Sequence, residues 1–172
     1  MNVPNTLSLI RIAIISPYLY FYLFYPVYGE SIALIIFIIS GLTDLLDGYI
    51  ARKYNQITKM GTVLDPLADK LMLVSVLTGF VMNNKINLWL LTLIICKELL
   101  IVLGSFILYN EKDEVIPANI LGKITTVLFY IASTAIIIDL SLGYSLMIAF
   151  FILNIFSLFF YFYKFITLKR TV

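Results

Sequence analysis

The sequence predicts an all-α integral membrane bundle of six transmembrane helices with both termini on the cytoplasmic side. Three observations predict it. The 172 residues are 62% hydrophobic and 13% charged, against about 45–50% apolar and about 25% charged in soluble domains. Mean hydropathy is +1.01, more apolar surface than a water-soluble domain of this size can bury. Polar punctuation cuts the chain into six apolar runs, each near the roughly 20 residues a spanning helix needs.

The first span is read as Leu7–Tyr28; it lacks a small-residue cleavage site and is expected to stay as a helix. Pro26 and Tyr28-Gly29-Glu30 turn the chain into Ser31–Tyr49, the second span. Asp65–Met82 is the third, closed by Asn83-Asn84-Lys85, and Asn87–Tyr109 the fourth. A charged loop, Asn110–Pro117, precedes the fifth span, Ala118–Leu140. Ser141-Leu142-Gly143 leads into the sixth, ending near Lys164 before a short basic tail. No repeat or low-complexity stretch divides the chain, so residues 1–172 read as a single domain. The aromatic clusters Tyr18–Tyr28 and Phe159–Phe165 read as interfacial belts and lipid-facing surface, and Asp139 as a capping or interfacial residue.

Charge distribution orients the spans. Arg11, Arg52, Lys53, Lys59, Lys70, Lys112, Lys123, Lys164, Lys169 and Arg170 fall toward one side, and the opposite loops carry Lys85. The basic side is cytoplasmic by the positive-inside rule, which makes the chain a multi-pass protein of the cytoplasmic membrane. A net charge of +2 gives no case for nucleic acid. Cys96 is the single cysteine, so no internal disulfide forms, and there is no histidine. Any metal site is therefore oxygen-lined, which favours Mg²⁺ or Mn²⁺ over zinc.

Four aspartates stand out against this apolar background. Asp44 and Asp47 are three apart at the cytoplasmic end of the second span; Asp65 and Asp69 are four apart at the start of the third. Each pair shares a helix face. The short connection from Gly48 to Leu64 sets the two helices side by side, patch facing patch. Four carboxylates at a membrane boundary demand neutralisation, and such a set suits two divalent ions roughly 4 Å apart, the arrangement used for displacement at phosphorus. Gly48 and Ala51 lack bulk, Arg52 offers a donor fork to phosphate, and Gly61 permits a sharp turn. Asp65-Pro66 reads as an extended residue before a first-turn proline. Taken singly, each acid reads as a solvated interfacial residue and Arg52 as a positive-inside anchor. Jointly, the eight positions match by chance on the order of 10⁻¹⁰ times per start point at about 5% per residue type.

The pattern Asp44-x-x-Asp47-Gly48-x-x-Ala51-Arg52, eight residues, Gly61-x-x-x-Asp65-x-x-x-Asp69 resembles the full signature of the CDP-alcohol phosphotransferase family. The resemblance implies six membrane helices, a homodimer, and transfer of a substituted phosphoryl group from a CDP-linked donor such as CDP-diacylglycerol to an alcohol, with release of CMP. It implies Asp44, Asp47, Asp65 and Asp69 as ligands of two divalent ions, with Asp69 also the base for the acceptor hydroxyl. Asp47, Gly48, Ala51, Arg52, Thr58, Gly61 and Asn5 fall to the donor. No Ser, Cys or His with an adjacent base suggests a covalent intermediate, so direct displacement is expected.

The opening Asn2-Val3-Pro4-Asn5-Thr6-Leu7-Ser8-Leu9-Ile10-Arg11 resembles the start of bacterial phosphatidylglycerophosphate synthases and of CDP-diacylglycerol-using cardiolipin synthases. So do Ala51-Arg52-Lys53-Tyr54-Asn55 and Leu64-Asp65-Pro66-Leu67-Ala68-Asp69-Lys70. Glycerol 3-phosphate is the first-choice acceptor and phosphatidylglycerol the runner-up, with inositol phosphate and serine below them. A phosphorylated acceptor needs further cations, and Lys97, Lys123 and Arg11 are the candidates. The Lys97-Glu98 pair lies mid-membrane, where ionisable residues are functional by default, a structural ion pair being the alternative. The glycerophosphate enzymes show Arg-Glu there and a second arginine later, where this chain has Leu103-Gly104-Ser105. Lys123 reads equally as a snorkelling interface lysine. From a different class, a divalent-cation transporter accounts for intramembrane carboxylates, but it places them nearer the midplane, with repeat symmetry this chain lacks.

Overall fold

The computed structural model describes residues 2–54, 58, 60–112 and 120–170, the side chains of residues 52, 62, 105–112 and 168–170 excepted. Among them there is no strand. The helices are α1 Val3–Ala13, α2 Ile15–Phe24, α3 Gly29–Lys53, α4 Gly61–Met82, α5 Leu88–Lys112, α6 Ile120–Ile137 and α7 Gly143–Arg170. Val3–Phe24, Gly29–Ala51, Ile120–Ile137 and Gly143–Thr167 are, among the described residues, the four stretches long and apolar enough to cross a membrane. Charges interrupt the other two rods: α4 carries Asp65, Asp69 and Lys70, and α5 carries Lys97 and Glu98.

The expected first span is two helices joined at Ile14, because Pro17 has no N–H for the Ala13 carbonyl. It starts earlier than expected, at Val3, where Pro4 occupies the first turn. It ends earlier too, since Tyr25, ahead of Pro26, is extended (φ −103°, ψ 108°). The start of α4 also differs. Asp65 is helical and Pro66 lies inside the helix, not in its first turn. The helix is nucleated upstream: Gly61 N–H donates to Thr58 Oγ1 (2.9 Å), and Leu64 N–H to the Met60 carbonyl (2.9 Å). Gly61 makes no left-handed turn, since no described glycine has positive φ. The expected loop Asn110–Pro117 begins later, as α5 runs through Lys112; residues 113–119 lie outside the described set.

Two helices end in Schellman motifs with a left-handed residue. After α4, Asn84 (φ 55°) donates to the Val81 carbonyl (3.0 Å) and Lys85 to that of Phe80 (2.8 Å). After α6, Asp139 (φ 52°) donates to Ile136 (3.2 Å) and Leu140 to Ala135 (2.9 Å). Asp139 is thus a helix-terminating residue, as expected.

The chain divides into two compact units, Met1–Asn87 and Leu88–Val172. In the first, the α1–α2 rod packs on α3 and α4. Its core is aromatic: Tyr18 stacks on Tyr22 (5.8 Å) and meets Phe37 (6.4 Å), and Tyr22 meets Phe80 edge-on (5.8 Å). Tyr18 and Tyr22 are buried, which corrects the lipid-facing reading for these two; Tyr20, Phe24, Tyr25 and Tyr28 remain exposed. Positions 18 and 22 face the bundle because they are one turn apart on the side toward α3 and α4. Gly79 gives the Tyr22 ring its room, since a Cβ there would lie 2.8 Å from Cδ1.

In the second unit α7 packs on α6 and α5. Phe129 and Phe150 meet at 5.3 Å, and Lys97 donates to Asn154 Oδ1 (2.7 Å). The Tyr161 hydroxyl donates to the Ile101 carbonyl (2.8 Å). The outward positions of α7, among them Ile152, Phe156, Phe159, Phe162 and Tyr163, are exposed and apolar, a surface suited to lipid.

Gly79→Val is expected to lower the melting temperature in detergent, since overpacking of this kind costs about 1–3 kcal/mol. Asn154→Leu is expected to lower it by a smaller step, by removing an interhelical bond worth on the order of 0.6 kcal/mol in a membrane. An unchanged melting temperature in either variant contradicts the packing described.

Candidate active site

The polar residues of the first unit lie on three helix faces that meet. On α1, Asn5, Ser8 and Arg11 are each three residues apart and buried, a polar stripe on a helix whose other residues, the exposed Thr6 excepted, are apolar. On α3 the facing residues are Asp44 and Asp47, and on α4 Asp65 and Asp69.

Arg11 joins them. Its side chain is fully buried, and its Nη1 donates to Asp44 Oδ1 at 2.7 Å. The same guanidinium is ion-paired with Asp47, through Nη2, and with Asp69, through Nη1. A guanidinium is suited to this because its planar fork of donors serves several carboxylate oxygens at once. Asp47 is nearly sealed, with 3% side-chain exposure, whereas Asp69 is 43% exposed and Asp44 26%. The cluster therefore opens on the side of Asp69 and Asp44. Three carboxylates converge on one cation there, so negative charge is in excess.

Asp65 is held differently. It accepts from the Ser8 hydroxyl, which also lies 3.0 Å from the Pro4 carbonyl. Further along the stripe, Thr58 Oγ1 donates to Asn5 Oδ1 (3.0 Å) while accepting from Gly61 N–H. A Cβ at Gly61 would lie 2.8 Å from Asn5 Oδ1 and 3.2 Å from Thr58 Oγ1, so any larger residue there must displace the Asn5 side chain. Asn5, Thr58 and Gly61 thus form one polar edge beside Asp65.

The structure brings Asp44, Asp47 and Asp69 to one point with Asp65 close by; α3 and α4, expected side by side, each pack on α1, whose Arg11 stands between their acids. Gly48 and Ala51 follow on α3, both half-buried; the Arg52 side chain lies outside the described set. Among the described residues, no three acidic side chains are spaced as ligands around a single ion; the guanidinium holds the point on which three of them converge. Arg11, expected at the acceptor, is ion-paired with Asp44, Asp47 and Asp69. Ser8 was missed, although its place midway between Asn5 and Arg11 was a usable signal.

Lys97 and Lys123 belong to the second unit. Lys97 is buried, paired with Glu98 (2.8 Å) and bonded to Asn154, and Lys123 is exposed on α6. Asn154 was also missed; an amide inside the apolar run of α7 was its signal.

Residues 1–162 match the family model described as CDP-alcohol phosphatidyltransferase. The CDP-diacylglycerol–glycerol-3-phosphate 3-phosphatidyltransferase of Aquifex aeolicus is 38% identical over 128 residues, 73% of this chain and 70% of that protein. The Bacillus subtilis protein of the same name is 37% identical over 149 residues, 80% of this chain and 77% of that protein. The CMP-forming cardiolipin synthase of Streptomyces coelicolor is 34% identical over 130 residues, 73% of this chain and 60% of that protein. With its eight-position frame intact and nearly its whole length matched, the chain belongs to the CDP-alcohol phosphatidyltransferase family.

Proposed function

We propose that the chain moves the phosphatidyl group of CDP-diacylglycerol to glycerol 3-phosphate with release of CMP. The observation that carries the reading is the convergence of Asp44, Asp47 and Asp69 on one point, with Asp65 adjacent, in a chain of this family. The family sets aside the cation transporter.

The acids fit a pair of Mg²⁺ or Mn²⁺ ions by their chemistry. They are all carboxylates, on two helices that both pack on α1, and they already draw one cation to a shared point. Asp44, Asp47, Asp65 and Asp69 are the residues that would hold the ions, which when bound polarise the diphosphate and stabilise the departing CMP. The residues of this chain do the rest. Asp69, the most exposed of the three acids around Arg11, takes the proton of the acceptor hydroxyl. The hydroxyl oxygen then bonds to the phosphorus bearing the diacylglycerol, and the phosphoanhydride bond to CMP breaks. Asp47, Gly48, Ala51, Arg52, Thr58, Gly61 and Asn5 position the donor, and the Asn5–Thr58–Gly61 bonds preset its polar edge.

In this reading residues 1–172 form one domain with six crossings, both termini in the cytoplasm, working as a homodimer in the cytoplasmic membrane. The pocket faces the cytoplasm, while the donor's acyl chains lie in the surrounding lipid. Partners are CDP-diacylglycerol, the acceptor and membrane lipids, with no nucleic acid.

A second acceptor is favoured by a specific observation. Arg11 and Lys97, two of the three cations expected at a phosphorylated acceptor, are engaged with acids of the chain itself. Phosphatidylglycerol, yielding cardiolipin, then becomes the alternative, in line with the name of the Streptomyces relative.

Purified protein in detergent, given CDP-diacylglycerol and Mg²⁺ or Mn²⁺, is expected to release CMP only when glycerol 3-phosphate is added. Release that requires phosphatidylglycerol instead assigns the second reading. Asp69→Asn is expected to lower kcat by about 10²–10⁴-fold; retained activity removes Asp69 as base. Gly61→Val is expected to raise KM for CDP-diacylglycerol by displacing Asn5, and an unchanged KM removes that edge from the donor site.

A further inference from the structure

Arg11 has the chemistry of a substrate-binding residue but the position of a counter-ion. It is wholly buried, and its partners include Asp44 and Asp47 of α3 and Asp69 of α4. These include three of the four acids that the proposed function assigns to divalent ions. A guanidinium bonded to one oxygen of each acid competes with a dication for the same three carboxylates, by taking up lone pairs and by repulsion between like charges.

We propose that Arg11 is a resident cation of this site. Before loading, its guanidinium gathers the three carboxylates and neutralises part of their charge; divalent ions bind by displacing it. The inference rests on the proposed role of the carboxylates as ion ligands. Two features make the exchange feasible. Arg11 lies near the end of α1, three residues before the break at Ile14, on a long side chain whose head can change partners without the helix moving. The cluster is also open at Asp69 and Asp44, which gives an incoming ion access without unsealing Asp47. The displaced guanidinium stays charged, and the diphosphate that arrives with the donor supplies it with a new anionic partner. The acids thus have a cation beside them before and after loading, first Arg11 and then the divalent ions.

The same arrangement accounts for the serine at position 8. Asp65, the acid outside Arg11's reach, has the Ser8 hydroxyl as its donor from the same helix face. One stripe of α1 therefore satisfies all four acids.

The test is Mn²⁺ binding to the full-length protein in detergent without donor, read by the electron paramagnetic resonance signal of free Mn²⁺. Melting temperature in EDTA is measured alongside. Arg11→Ala is expected to bind Mn²⁺ at least about tenfold more tightly than wild type, about 1.4 kcal/mol, and to melt lower in EDTA. Millimolar guanidinium is expected to restore the EDTA melting temperature of Arg11→Ala and to compete with its Mn²⁺. Asp47→Asn is expected to weaken Mn²⁺ binding. If Arg11→Ala does not fold, Arg11→Lys carries the test: its point charge serves fewer oxygens, so binding tightens by a smaller factor. Unchanged or weaker Mn²⁺ binding in the folded Arg11 variant, with binding still lost in Asp47→Asn, overturns the inference and leaves the metal reading standing. No Mn²⁺ binding by wild type overturns both.

Discussion

The guanidinium of Arg11 is the interaction on which the first unit depends. Carboxylates beside a hydrocarbon region are expensive to desolvate, and each must find positive charge or hydrogen-bond donors. Here one side chain from α1 meets Asp44, Asp47 and Asp69, so a single contact point fixes three helices relative to one another. The three bonds are not equal in energy. Asp47 is sealed from solvent, and breaking a buried pair of this kind costs on the order of 3–5 kcal/mol. Asp69 is nearly half exposed and its bond is screened. The contribution to stability is therefore concentrated on Asp47, and the freedom to change partners on Asp69.

Below this polar layer the same helix faces turn aromatic. The stripe that carries Asn5, Ser8 and Arg11 on α1 continues on α2 as Tyr18 and Tyr22, packed against Phe37 and Phe80. The aromatic layer supplies rigid apolar contact, and Gly79 sets how closely α2 approaches α4. A site in which sub-ångström placement matters gains from being anchored to such a layer and not to a loop. At the other end Glu30 and Lys85 pair at 2.9 Å, joining the start of α3 to the turn after α4.

The second unit solves a smaller version of the same problem. Lys97 lies within the apolar length of α5, where an unpaired ammonium is costly. Glu98 neutralises it and Asn154 of α7 takes a further hydrogen, while the Asn154 amide itself donates to the Phe150 carbonyl at 2.9 Å. Every member of this group has a partner, which is the condition for a buried polar group to lock helices together and not weaken them. Tyr161 repeats the device one helical stretch away, with its hydroxyl on the Ile101 carbonyl and its ring against Gly104.

The sequence by itself determined the membrane class, the order of the helices and the carboxylate faces, because these follow from local quantities. Apolar run length, and spacings of three and four between Asp44 and Asp47 and between Asp65 and Asp69, act through helix geometry alone. The eight-position frame likewise carried the family. Tertiary structure alone decided which cation meets which acid. The spacing of Asn5, Ser8 and Arg11 marks a polar face but does not name its partners, the three acids more than thirty residues away that Arg11 meets and the Asp65 that Ser8 takes. It also decided that Tyr18 and Tyr22 are core and not belt, and that Gly61 is glycine for space and not for φ. Each of these depends on which helix packs beside which, and long-range packing leaves no periodic signature in the chain that makes it.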